Sequence, residues 1–237
     1  MHYRLMAAVL LGVGLLLTAR PVSVTAADKN TEASKKALQE LGEFIGQWKG
    51  NGDAKIDGKN AIWKETIDFG WKFAKSGDSW IALDVTDGKF LTKGALKYDP
   101  MKKQYVFTAT DKDGKETEYT GKVVRSRLVL EGKDKGGDVH RITLYTLADG
   151  ARLTLQSELK EGGKGLFGTV YKVVANKEGE SFAGGGKKKN ECVVTGGLGT
   201  MAVNFGGKTY YVCCSGCREE FDANPKKYVD EFEKKKK

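Results

Sequence analysis

The four cysteines of this 237-residue chain stand at positions 192, 213, 214 and 217. A thiolate is both a nucleophile and a soft metal ligand, so this grouping admits three chemistries. The first is a thiolate metal centre. The second is a disulfide framework, for which four cysteines allow three pairings, the neighbour pair Cys213 with Cys214 being strained. The third is thiol–disulfide exchange through Cys214-Ser215-Gly216-Cys217, although no βαβ pattern surrounds that motif. The segment that holds the cysteines, residues 190–237, is too short to bury a sufficient core alone. A metal or a disulfide is therefore expected to staple it.

The elements around the cysteines can be read directly. Met201 to Phe205 alternates as a strand, Gly206-Gly207 makes a tight turn, and Lys208 to Val212 returns as the partner strand. Cys213 to Cys217 lie at the exit of this hairpin. Arg218 to Ala223 read as the first turns of a helix with Phe221 inward, and Asn224-Pro225 ends that helix and starts another with Tyr228, Val229 and Phe232 as its apolar stripe. Thiolates at a strand end and in a first helical turn converge, and the helix N-terminus favours their negative charge.

Cys192-Val193-Val194-Thr195-Gly196, then Gly207 to Cys217, then Phe221 and Asn224-Pro225-Lys226-Lys227-Tyr228 follow in an order that resembles a YHS domain of the TRASH-like superfamily. Twenty residues separate Cys192 from Cys213 and three separate Cys213 from Cys217, as in that family's pattern. The resemblance implies a small treble-clef-like α+β domain that binds one Cu(I) or Zn(II). It further implies the metal ligands Cys192, Cys213 and Cys217, with Cys214 as an optional fourth. Two positions depart from the pattern. Val193 stands where proline usually follows the first cysteine, and no cysteine lies near Thr195, where related four-ligand knuckles carry one. Three thiolates suit trigonal Cu(I), or tetrahedral zinc with a fourth ligand from Cys214, water or a partner.

Upstream, residues 176–189 are almost devoid of apolar side chains and contain Gly184-Gly185-Gly186, the composition of a flexible linker. Between Gln47 and Ala175 turn signals such as Asp87-Gly88, Asp111 to Gly114 and Ala148-Asp149-Gly150 recur at roughly ten-residue spacing. Period-two pairs lie between them: Ile81 and Leu83, Tyr105 and Phe107, Leu128 and Leu130, Ile142 and Leu144, Leu153 and Leu155. The pattern predicts a mainly β region of about ten antiparallel strands, closed or nearly closed into a barrel. One amphipathic helix, from Asn30 to Ile45 with Thr31 as N-cap, is expected before it.

The entry to the first strand, Gly46-Gln47-Trp48, resembles the first-strand signature of lipocalin-like and nitrobindin-like barrels and of an uncharacterised family of exported bacterial barrel domains. That resemblance implies a barrel over residues 28–175 whose interior can take a small apolar ligand. Trp48 itself reads as a plug of one barrel end. His140 reads as a surface or satisfied strand residue rather than a haem ligand.

At the N-terminus, Arg4 precedes an apolar run from Met6 to Leu17 and small residues ending at Thr25-Ala26. This is the layout of a signal peptide over residues 1–26, since a membrane span needs roughly twenty apolar residues. The expectation is an exported protein, periplasmic or extracellular, with no membrane span after cleavage. The formal charge of +9 falls to +7 once Arg4 and Arg20 leave. The remaining lysines are interspersed with acids, apart from Lys187 to Lys189 and Lys234 to Lys237, which read as solvated edges. Specific nucleic-acid binding is not indicated, and no spacing of Ser, Asp or Glu forms a catalytic constellation. The expected partners are a metal ion, a protein that donates or accepts it, and a small ligand in the barrel.

Overall fold

The computed structural model describes residues 26–178 and 190–236. The expected signal peptide as far as Thr25, and residues 179–189 of the expected linker, lie outside the described residues.

Ten strands form one closed antiparallel barrel: β1 (Gly46–Ile56), β2 (Lys59–Phe73), β3 (Ser79–Thr86), β4 (Leu91–Asp99), β5 (Gln104–Asp111), β6 (Glu116–Val124), β7 (Arg127–Lys133), β8 (Val139–Leu147), β9 (Arg152–Lys160) and β10 (Gly168–Lys177). Each strand pairs with the next in sequence, and β1 closes the ring by pairing with both β2 and β10, so that Trp48 lies opposite Ile67 on one side and Lys177 on the other. Closure removes the free edges that ten short strands would otherwise expose. Period-two side chains supply the core: Trp63, Ile67, Phe69 and Trp71 of β2 point inward with Ile81, Leu83, Phe107, Leu130, Leu144 and Leu155 from other strands. Gly52 is needed where it stands, because a Cβ there would lie 2.1 Å from the Trp63 ring directly across the ladder.

Two boundaries differ from the sequence expectation. Helix α1 spans Ala26–Gln39 instead of residues 30–45, so Thr31 lies inside it and is not its cap. The alanines at 26 and 27 are good helix formers. After Gln39 the chain tightens into a 3-10 turn at Gly42–Phe44, which drives Leu41, Phe44 and Ile45 into the barrel end. Strand β10 also runs through Asn176 and Lys177, residues that read as linker, because their backbones still pair with Lys49 and Trp48 whatever the polarity of their side chains.

The two barrel ends are unlike. Helix α1 crosses the end where β4 passes to β5: the Tyr105 hydroxyl donates to the Ala37 carbonyl at 2.9 Å, and Ser34 Oγ donates to the Tyr98 carbonyl at 3.1 Å. Trp48 is fully buried beneath it, its indole N–H donating to the Phe44 carbonyl at 2.7 Å. The opposite end, reached by the far end of β5, opens into a cavity.

The C-terminal segment contributes a hairpin, β11 (Met201–Phe205) with β12 (Lys208–Val212), followed by α2 (Ser215–Ala223) and α3 (Pro225–Lys235). Phe221 and Tyr228 are buried beneath the hairpin side chains Val203, Tyr210 and Val212. This small core is continuous with that of the barrel. Two contacts at the junction are Lys35 of α1 over the Tyr228 ring at 5.6 Å, and Gly42 of the 3-10 turn facing Gly197. Among the described residues no helix is long and apolar enough to cross a membrane.

Candidate metal centre

Cys192, Cys213 and Cys217 come together although twenty residues separate the first from the second. Hairpin pairing places Val212 opposite Met201 and so delivers Cys213 at the end of β12. Cys192 is brought alongside by a parallel bridge to Tyr211, with the Val193 N–H donating to the Tyr211 carbonyl at 2.8 Å. A proline at 193 could not make that bond. Cys217 enters from the first turn of α2.

The three Sγ atoms lie within 4.8 Å of one another, all buried, and those of Cys213 and Cys217 are 3.4 Å apart. Zinc held tetrahedrally by thiolates at about 2.3 Å requires sulfur separations of about 3.8 Å, so the donor set fits a thiophilic cation in both chemistry and scale. The buried hydroxyl of Thr195 also reaches the site, 3.5 Å from Cys213 Sγ and 3.9 Å from Cys217 Sγ.

Electrostatics favour partial ionisation. Hydrogen bonds from Cys213 and then Cys217 hold the Cys192 thiol far below the usual thiol range, against the opposing effect of burial. The hydrogen bond with Cys192 in turn drives Cys213 and Cys217 upward. Buried sulfurs this close cannot all carry negative charge unless a cation compensates.

Cys214 is not part of the trio. Its Sγ lies 3.9 Å from Cys213 Sγ but accepts a hydrogen bond from the backbone N–H of Trp71 in β2 at 3.3 Å. Hydrogen bonds from Cys213 and Cys217, with a smaller one from Trp71, pull its thiol down to about 3.

His140 lies apart from the cysteines. It lines the open barrel mouth, with Nε2 3.4 Å from an Asp134 carboxylate oxygen. The cavity there measures about 910 Å³, walled on its apolar side by Phe90, Leu91, Tyr119, Ile142 and Tyr171 and at its rim by charged residues such as Lys115, Glu116, Glu118 and Lys133. Phe90 and Tyr171 stack with centroids 4.6 Å apart, and Trp63 packs on Phe90. Trp48, Trp63 and Trp71 thus fill much of the barrel, and space remains at the mouth.

No protein-family model matches the chain, and no curated protein matches it. Among solved structures it is similar to the crystal structure of Rv2717c from M. tuberculosis, at 16% identity and a TM-score of 0.38, over 60% of this chain and 97% of that one. A likeness that loose supports no statement about this chain's fold or function.

Proposed function

We propose that this chain binds one soft or borderline metal ion, Cu(I) or Zn(II), through Cys192, Cys213 and Cys217, with Cys214 in reserve, and holds, senses or hands on that ion outside the cytoplasm. The observation that carries the reading is the convergence of three buried sulfurs within 4.8 Å, with a threonine hydroxyl beside them. In this reading residues 190–237 are a YHS-type, treble-clef-like metal domain on an exported lipocalin-like barrel. Bound metal contributes to the folding of the small segment, since binding energy at a thiolate site is largely folding energy.

The test is elemental analysis of protein purified from its native compartment, paired with a free-thiol count and with titration of the reduced chain by Cu(I) and by Zn(II). One metal per chain is expected. Isolation with Cys213 and Cys217 joined as a disulfide, together with failure of the reduced chain to bind either metal, would replace this reading with a stapled structural tail.

The cavity at the barrel mouth favours a second reading, in which the barrel holds a small, largely apolar ligand against Phe90 and Tyr171. Native mass spectrometry of the undenatured protein tests it. A retained small-molecule adduct that is lost on Phe90→Asp supports it, and an adduct-free chain that quenches with no apolar probe counts against it.

A further inference from the structure

Strand β2 outruns its neighbour. Gly46, the first residue of β1, pairs with Phe69, whereas β2 continues to Phe73 with only β3 beside it. The backbone of Gly70 to Phe73 therefore faces a position that no strand fills, and the start of α2 occupies it. The Trp71 N–H donates to Cys214 Sγ at 3.3 Å, and a Cβ at Gly216 would lie 1.8 Å from the Trp71 carbonyl oxygen. Both backbone polar groups of one barrel residue are thus covered by the two residues that flank Ser215. A buried N–H needs an acceptor, and here that acceptor is a thiol that sits 3.9 Å from Cys213 Sγ, the spacing of two sulfurs on one metal.

We propose that docking on the barrel sets the coordination number of the thiolate site: the Trp71 contact holds Cys214 Sγ outside the trio, so the site offers three sulfurs, and when α2 lifts from β2 Cys214 is free to move in as the fourth. The inference rests on the metal reading above. Three thiolates favour Cu(I), and four favour Zn(II) or Cd(II). The barrel is then the element that selects the metal: while α2 stays docked, even an ion that prefers four sulfurs is held by three.

The experiment uses the full chain, reduced and anaerobic, with one equivalent of Cd(II) as probe, and reads thiolate-to-cadmium charge-transfer absorption. Wild type and Cys214→Ser are expected to give the same three-sulfur intensity. Gly216→Val, which wedges α2 from the Trp71 carbonyl, is expected to raise it by about one third, the step from three sulfurs to four. Adding Cys214→Ser to Gly216→Val should remove the gain. Gly216→Ala, whose single Cβ already meets the Trp71 carbonyl oxygen, should act in the same direction even if Gly216→Val folds poorly. A fall in intensity for Cys214→Ser alone, or no gain in either wedge variant, overturns the inference. Absence of cadmium absorption in every chain overturns the metal reading itself.

Discussion

Cys192 lies against Tyr211 in a single parallel bridge, and this contact fixes a cysteine from outside the hairpin next to the strand that ends at Cys213. The three sulfurs are therefore held by three separate pieces of backbone, and none is redundant. Cys192→Ser, Cys213→Ser and Cys217→Ser should each abolish the thermal stabilisation that added metal gives the reduced protein. That stabilisation should reach about 2.7 kcal/mol at a free metal concentration one hundred times Kd in the wild type. Melting curves with and without Zn(II) check it. Stabilisation retained by any of the three would remove that cysteine from the site.

The Thr195 hydroxyl lies 3.5 Å and 3.9 Å from two of the three sulfurs. These separations approach those between thiolates on one zinc ion, about 3.8 Å. Thr195→Cys should convert the centre to four thiolates and raise zinc affinity at least tenfold in competition with a chromophoric chelator. Thr195→Val should keep the metal while losing the hydroxyl contacts. Equal zinc affinity in wild type and Thr195→Cys would mean that the hydroxyl does not mark a coordination position.

The barrel was readable because its signal is local. Alternation at Ile81 and Leu83 or at Leu128 and Leu130 reports a half-buried strand without knowledge of its partner, and Asp57-Gly58 or Gly206-Gly207 with positive φ reports the hairpin that joins two strands. The C-terminal hairpin and both helices follow from the same rules, down to Phe221 and Tyr228 as core residues. What stayed hidden is non-local. Cys214 and Trp71 are 143 residues apart, and nothing in Cys213-Cys214-Ser215-Gly216-Cys217 says that the second sulfur is turned to a barrel strand. Threonine is an ordinary buried strand or turn residue, so nothing in Thr195 itself says that its hydroxyl meets two of the sulfurs. The cavity depends on which inward side chains meet across the ring, and pairwise alternation does not determine that.

The turn between β6 and β7 shows a local signal that fails. Val124 pairs with Arg127, so Arg125 and Ser126 form a two-residue loop with φ of 50° and 59°. Both residues occupy the left-handed region that such hairpins favour, yet neither is Gly, Asn or Asp. Left-handed backbone at residues of this kind carries a conformational cost on the order of 1 kcal/mol each. Replacing the pair by Asn-Gly should stabilise the protein by about 1 kcal/mol in urea denaturation, with no change in metal binding. A loss of stability would show that the Arg125 or Ser126 side chain contributes more than the turn geometry costs.

Glu65 is a carboxylate inside the barrel wall. Its side chain accepts the Trp63 indole N–H, yet burial outweighs that bond and raises its pKa above 4.5. The same carboxylate adds to the burial that lifts the Tyr171 phenol. A carboxyl whose folded pKa lies above its unfolded value binds its proton more tightly in the native state. Its contribution to stability is complete below the unfolded pKa and is lost as pH rises through the folded one. Glu65 therefore stabilises the fold less at neutral pH than in acid. Glu65→Gln keeps an oxygen for the Trp63 N–H and carries no charge, so it should be more stable than wild type at pH 7. The advantage should shrink as pH falls and vanish below about pH 4.5, where the wild-type carboxyl is protonated in both states. Urea midpoints of the two proteins measured from pH 4 to pH 8 test this. Parallel curves, or a variant that is less stable at pH 7, would mean that Glu65 is held ionised by an interaction stronger than its burial.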